Sequence, residues 1–514
     1  MIEKKHQVTL RQQIGLVGGI PIFLFFLFFP LSSTLEPIAQ KTLAVAILMA
    51  WWWITEALPI PATSLIPIVA FPLLKIMEGK KVVLSYGDSN IFLFMGGFFI
   101  AMAMQKWELH RRIALHIIRL IGLGPHKIVL GFMFASAFLS MWISNTACTM
   151  MMYPIGLAII LQITSAESND PTKMDATTAN FQTALMLGIA YASSIGGIGT
   201  KIGTPPNIVF AAAVRSIFPG APDVGFLQWM MVGVPLVILF VPISWIFLTR
   251  IALPIRIRSL PGSREVIQEQ IDKLGPMRKG ERYILIIFLL TAFAWIFRQN
   301  IELGTFIIPG WSNILGIENY VDDATVAIFS ALLLFIIPVN LKRKEFLLDW
   351  EWAIKIPWGI LLLFGGGIAL AAGFKTTGLA AWVGQNLSLF SYVPIIVMIM
   401  ITCLMLTFLT ELTSNTATAT IFMPILAATA LAMGIHPFLL MIPATISASC
   451  AFMLPVATPP NAIVFGSGCV TIPQMAKTGV GLNFIGIFLV TLVTYLIAIP
   501  AFRIILGTLP NWIR

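Results

Sequence analysis

Charge is the scarcest commodity in this chain. Asp, Glu, Lys and Arg make up 11% of its 514 residues, against 58% hydrophobic residues and a mean hydropathy of +0.92. A water-soluble domain carries about 25% charged residues, so this balance excludes a fully water-facing surface. Histidine is rare too, and His6, His110, His116, His126 and His436 form no zinc-binding pair on an apolar helix. No two aspartates in apolar stretches could form a protease dyad, which leaves an intramembrane enzyme without its chemistry. The four cysteines (Cys148, Cys403, Cys450 and Cys469) lie in apolar surroundings without metal-ligand spacing. They read as buried small side chains rather than a disulfide framework or a zinc site.

Long apolar stretches, by contrast, recur along almost the whole length, with 14–31, 226–249, 283–297 and 482–506 the cleanest. Each is long enough, or nearly so, to cross a bilayer. The first follows Lys4, Lys5 and Arg11 without a convincing small-residue cleavage site and reads as a retained helix; a cleaved signal peptide is the alternative. The net charge of +10 would suit nucleic acid, but its placement argues for a membrane protein with no nucleic-acid partner. Eight basic residues fall between Arg250 and Arg282, and Lys342, Arg343 and Lys344 form a second group; both follow apolar spans, where cytoplasmic loops belong. Residues 300–323 carry Glu302, Glu318, Asp322 and Asp323 and no Lys or Arg, and belong outside.

The chain repeats itself once. "LFMGGFFIA" at 93–101 recurs as "LFGGGIALA" at 363–371, an offset of 270 from Leu93 to Leu363. The same offset carries Ser144-Asn145-Thr146 onto Ser414-Asn415-Thr416 and Pro154 onto Pro424. "GTPPNIV" at 203–209 recurs as "ATPPNAI" at 457–463, an offset of 254 from Gly203 to Ala457. Three blocks in one order mark a duplication. Broken regions at 126–164 and 393–434 read as re-entrant hairpins with Ser-Asn-Thr tips, followed by helices over 181–218 and 436–468 that unwind at a Pro-Pro pair. With a cytoplasmic N-terminus this predicts an all-α fold of about eleven spans plus two hairpins, in two inverted repeats with an external C-terminus. Lys75, Lys80 and Lys81 then fall outside, against the charge rule.

Interrupted helices in inverted repeats are how many secondary transporters build a site near the bilayer midplane. Each tip offers two hydroxyls, a carboxamide and backbone amides without helical partners, groups able to donate to a carboxylate or turn oxygens to a small cation. The helices restarting at Pro205 and Pro459 direct positive dipole ends to the same place. Two such tips suit an anion with a carboxylate at each end. The plainer alternative is that these residues only join helices. A channel is less favoured than a carrier by the mobile-hairpin pattern.

The two "SNT" tripeptides, the two "TPPN" tracts, "WWITEALPIPATSLIPI" at 52–68 and "LTELTSNTAT" at 409–418 resemble the divalent-anion/sodium symporter family of di- and tricarboxylate transporters, from about residue 40 to the end. The resemblance implies a homodimer in the cell membrane. In each protomer a scaffold (1–119 and 283–388) faces an elevator-like transport domain (120–250 and 389–514), with a cytoplasmic basic loop at 251–282. It implies substrate contacts from Ser144, Asn145, Thr146, Ser414, Asn415 and Thr416, helped by Thr204, Pro205, Thr458 and Pro459. It maps one sodium site onto Ser140, Ser144, Asn145 and Gly203 and the other onto Thr410, Thr413, Asn415 and Ala457. Sodium is then the possible coupling ion, no prosthetic cofactor is expected, and membrane lipid and a small dicarboxylate are the partners.

Two charges stand out. Lys201 lies two residues before Gly203, where the family usually has an uncharged residue, and its repeat mate is Pro455. An intramembrane lysine is a functional candidate. If it replaces a sodium ion or balances substrate charge, the carrier exchanges one C4 or C5 dicarboxylate (succinate, malate, fumarate or 2-oxoglutarate) for another. The alternatives are a lysine that reaches the surface beside the hairpin and a sodium-coupled symporter. Glu411, whose mate is Met141, reads as a structural acceptor for hairpin backbone, with proton coupling the alternative. The segment 104–119 reads as an amphipathic arm at the cytoplasmic surface, with part of 374–388 a counterpart outside.

Overall fold

The computed structural model describes residues 9–167, 176–257, 262–303, 306–386 and 393–513. Lys4, Lys5 and His6, part of the basic loop and part of the 374–388 segment fall outside these residues. Among the described residues the architecture is helical, with seven helices long and apolar enough to cross a membrane by length and composition. Shorter apolar helices, including Pro125–Ser140, Ile395–Thr410 and Phe438–Ser447, supplement them. The all-α expectation needs one small correction: two short antiparallel ladders pair Ile301–Leu303 with Phe306–Ile308 and Pro338–Asn340 with Glu345–Phe346. The second follows the helix Asp323–Ile336; Pro338, two residues past its end, cannot donate to a continuing helix. Two short helices, Ile60–Thr63 and Ile66–Leu73, flank Ser64 and Leu65, each carrying proline in its first turn.

The duplication is visible element by element. Ser89–Lys106, Leu109–Ile121, Pro125–Ser140, Asn145–Glu167, Ala176–Gly197, Pro205–Ile217 and Phe226–Ile246 recur in order. Their counterparts are Trp358–Thr376, Leu379–Asn386, Ile395–Thr410, Asn415–Ala432, Phe438–Ser447, Pro459–Phe465 and Ile472–Val493. Even the ends agree: the last helix of each set runs into a π-helical turn, at Phe247–Ala252 and Thr494–Ala498. The recurring glycine pair has a packing reason. A Cβ at Gly96 would collide with Ala327, and one at Gly366 with Ser64, so each repeat needs glycine where its helix meets backbone of the other half.

The broken regions are helical hairpins with arms Pro125–Ser140 and Asn145–Glu167, and Ile395–Thr410 and Asn415–Ala432. Each Ser-Asn-Thr opens the second arm. The repeats are interlaced: the restarted helix Pro205–Ile217 packs on the second arm of the other hairpin, and Pro459–Phe465 packs on Asn145–Glu167. That crossing sets each restarted helix against the hairpin of the other half-chain.

The amphipathic arm is the helix Leu109–Ile121, its apolar face (Leu109, Ala114, Leu115 and Ile118) buried against Pro125–Ser140. It starts at Leu109, later than expected, because the preceding helix runs to Lys106 and Glu108 turns the chain in a left-handed conformation. Its charges tie it to one end of the molecule: Arg112 Nε donates to Glu281 Oε2 at 2.6 Å, and Arg278 bridges Glu281 and Glu108, each at 2.9 Å. At the same end Lys106 Nζ donates to Asp349 at 2.8 Å. Burial alone would raise the Asp349 carboxyl, but the bonds from Lys106 and from the Trp352 N–H outweigh it and hold it below the usual carboxylate range. The helix Lys279–Ile296 then runs about 27 Å to an opposite end marked by Arg298, Glu302 and Asp322.

Candidate functional site

Each hairpin tip reaches its site through a hydroxyl one turn before the break. Ser140 Oγ lies 2.7 Å from Asn145 Oδ1 and 2.6 Å from the Ser193 carbonyl oxygen. Thr410 Oγ1 lies 2.7 Å from Asn415 Oδ1 and 3.0 Å from the Ala448 carbonyl oxygen. A hydroxyl has one proton, so it can donate to only one of two such acceptors at a time. Both tips therefore gather oxygens with too few protons among them. At the first tip the position of Asn145 Oδ1 also lies 3.3 Å from the Gly203 carbonyl oxygen, surroundings that suit the N–H side of the carboxamide better. Two arrangements relieve the shortage of protons: the carboxamide turns and donates its N–H groups, or a small cation sits among the oxygens. Hard monovalent and divalent cations take such all-oxygen sets. The donor chemistry at both tips thus fits sodium.

Behind each tip the unwound segment is held by an asparagine that composition alone did not single out. Asn207 Nδ2 donates to the carbonyls of Gly197 at 3.1 Å and Thr200 at 2.7 Å. Asn461 Nδ2 donates to those of Ala451 at 3.2 Å and Leu454 at 3.1 Å. These are the same three positions in each copy at the offset of 254, and the last residue of "TPPN" was the available signal. The residues opening the restarted helices agree equally well. Thr204 has φ −142° and ψ 145°, Thr458 has φ −143° and ψ 148°, and Pro205 and Pro459 each take the first helical position. There the missing proline N–H costs nothing.

Among the other expected residues, Ser144, Asn145, Thr146, Ser414 and Asn415 are half-buried and Thr416 is buried. Ser144 Oγ accepts from the Ala147 N–H at 3.3 Å, and Thr458 Oγ1 from the Asn461 N–H at 3.3 Å. Gly203 comes to the first oxygen cluster through its carbonyl. Thr413 turns elsewhere: its hydroxyl meets Thr418 Oγ1 at 2.6 Å and the Leu409 carbonyl at 3.0 Å rather than the cluster of Thr410 and Asn415. Ala457 is buried, and its N–H donates to Leu454 at 3.2 Å.

The two intramembrane charges are both partnered. Glu411, 2% exposed, accepts from the backbone N–H groups of Phe452 at 2.6 Å, Met453 at 2.9 Å and Leu454 at 3.3 Å, and from Asn483 Nδ2 at 2.8 Å. It is a structural acceptor, but for the first turn of the second unwound segment rather than for the hairpin backbone expected. Lys201 does not reach a surface. It is 1% exposed, and its Nζ lies 3.1 Å from Asp323 Oδ2. The sequence carried no signal for Asn483 or Asp323, because each arrives from a distant element.

A family model described as "Sodium:sulfate symporter transmembrane region" matches residues 11–503. This chain belongs to that family of membrane transporters. It is 43% identical over 503 residues to the sodium-dependent dicarboxylate transporter SdcS of Staphylococcus saprophyticus, covering 98% of this chain and 94% of that protein. It is 45% identical over 496 residues to SdcS of Staphylococcus aureus strain MRSA252, covering 96% and 93%. Among solved structures, the Alcanivorax borkumensis YdaH transporter superposes with a TM-score of 0.55 at 12% identity, covering 87% of this chain and 97% of that one. Neisseria gonorrhoeae MtrF gives 0.54 at 12% identity, covering 93% and 97%. These two likenesses concern the fold alone.

Proposed function

We propose that this transporter carries C4 and C5 dicarboxylates such as succinate, malate, fumarate and 2-oxoglutarate, driven by sodium bound beside each hairpin tip. The observation that carries the reading is the matched pair of oxygen clusters, Ser140–Asn145–Ser193 and Thr410–Asn415–Ala448, each backed by the same asparagine clamp. The names of the staphylococcal relatives support both the substrate class and the cation.

In this reading one carboxylate meets Ser144, Asn145 and Thr146 with Thr204 and Pro205, and the other meets Ser414, Asn415 and Thr416 with Thr458 and Pro459. Hydroxyls and carboxamides donate to the carboxylates, while the opposite faces of the same two asparagines give their oxygens to sodium. Filling the cation sites fixes each carboxamide, so sodium prepares the anion site. Because the protein groups are neutral, the loaded site sheds little hydration as it crosses the bilayer. Segments 120–250 and 389–514 move as the transport unit against a scaffold of 1–119 and 283–388, in inverted repeats and as a homodimer embedded in lipid. The N-terminus and the basic loop at 251–282 are cytoplasmic, and the C-terminus is external.

Exchange without sodium is the second reading, and it rested on Lys201 standing in for a cation. Asp323 pairs with that lysine but is shared with Arg298, so the names of the staphylococcal relatives, and not this pair, favour sodium coupling. Uptake of labelled succinate into proteoliposomes, with and without a sodium gradient and internal succinate, separates the two. The expected result is uptake that needs sodium outside but no substrate inside. Uptake that needs internal substrate and ignores sodium establishes exchange instead, and uptake under neither condition removes the dicarboxylate reading.

A further inference from the structure

Lys201 is among the largest fully buried side chains of the molecule, and its counter-charge comes from 122 residues away. It rises from the unwound segment behind the first tip. Asp323 opens the helix Asp323–Ile336, which packs on Ser89–Lys106 and on Lys279–Ile296. The carboxylate is 2% exposed and shared: one oxygen meets Lys201 Nζ at 3.1 Å, the other accepts from Arg298 Nε at 2.8 Å. Arg298 also donates to the Val321 carbonyl at 3.0 Å, and the Asp323 carbonyl accepts from Trp295 Nε1 at 2.9 Å. Arg298 and Asp323 are therefore bound to each other within one packed block, whatever Lys201 does.

That asymmetry decides where the network can part. If Lys201 withdraws, it leaves a neutral Arg298–Asp323 pair that keeps its own 2.8 Å bond. The unpaired charge travels with the segment carrying the substrate tip, and an unpaired buried charge is far more costly than a paired one. A polar cavity of about 330 Å³ lined by Arg215, Asp223, Arg298 and Asp322 borders the network, but Lys201 is not on its wall.

We propose that the Lys201–Asp323 pair is a state-specific latch between the unit carrying the substrate site and the block it slides against. It is closed in the state described and opens during each stroke. The latch rests on the moving-unit reading given above. It makes Lys201 a register of where the site stands rather than a ligand within it.

The test uses the full-length protein in lipid, with Cys469 replaced by alanine and spin labels at two exposed positions, Lys477→Cys on the moving unit and Arg343→Cys on the block. The remaining cysteines are buried. Distances between the labels are measured with sodium, with sodium plus succinate, and with neither. Wild type is expected to show two interconverting distances, and Lys201→Met to shift their ratio at least tenfold toward the one rarer when the latch is closed. Asp323→Asn shifts it in the same direction, and the double variant adds less than the sum of the two. Two distances in wild type with an unchanged ratio in both single variants overturns the latch alone. A single invariant distance in wild type that nevertheless transports succinate overturns the moving-unit reading and the latch with it. If Lys201→Met fails to accumulate, Asp323→Asn decides the matter by the same ratio.

Discussion

The two unwound segments, 198–204 and 451–458, end in the same backbone conformation and are fastened from opposite directions. Each is clamped by the asparagine of its "TPPN", ends in a threonine with the same dihedral angles, and presents a carbonyl-rich edge to a hairpin tip. The first is wholly buried and rich in glycine; its own charge, Lys201, reaches out to Asp323 in another block. The second is partly open, with Val456 65% exposed, and it carries no charge of its own. Instead the hairpin supplies Glu411, which gathers three of its amides. One half-site is thus sealed to its own hairpin, the other to a neighbour. An internal repeat keeps chemistry where the ligand needs symmetry and departs from it where the two ends of the site do different work.

The comparison can be broken most severely at the shared asparagines. Asn145→Ala and Asn415→Ala should each reduce sodium-driven uptake about 100-fold, since each removes a charge-assisted hydrogen bond and a cation ligand together. Uptake kinetics over a sodium series would show it, and loss at one tip only would mean that the second site is not built like the first. Next comes the point where the halves differ. Glu411→Gln puts an N–H group where only acceptors fit, so uptake should fall about 10-fold and thermal stability should drop, by roughly 1–3 kcal/mol. A variant with unchanged melting and uptake would show that the amide cluster at 452–454 needs no carboxylate.

A smaller and more symmetric effect is expected behind the tips. Asn207→Ala and Asn461→Ala each strip two buried carbonyls of their donor and should cost about 1–3 kcal/mol each. Denaturation in detergent checks whether the two losses agree; a large difference would confine the repeat to backbone shape. The smallest effect lies outside the site. Asp349 has a lowered folded-state pKa, so its contribution is present above the unfolded value of about 4 and is lost as pH falls through the folded one. With Asp349 43% exposed, the pair with Lys106 is worth under about 1 kcal/mol. A wild-type melting temperature that falls below pH 4 while that of Asp349→Asn changes less would confirm it.

Much of this was legible in the chain. The Ser-Asn-Thr tips, the Pro-Pro restarts and the hydroxyls at Ser140 and Thr410 follow from a repeat with fixed offsets, because a duplicated backbone needs the same residues at the same turns. The breaks at Pro205 and Pro459 were visible because proline cannot continue a helix but suits its first turn. The partners of Lys201 and Glu411 were not legible. Asp323 and Asn483 sit 122 and 72 positions away, on elements whose approach only packing determines. The short ladder at 338–346 was not legible because its strands, of three and two residues, are too short for an alternating pattern.

The central claim is that the two tips hold opposite ends of one anion, and competition tests it most directly. Sodium-driven uptake of labelled succinate is measured against unlabelled succinate and against butyrate, which has the same carbon count but a single carboxylate. The account predicts inhibition by succinate at its own KM and no inhibition by butyrate at about 100 times that concentration, since half of the site would stay unpaired. Inhibition by butyrate as strong as by succinate would contradict it.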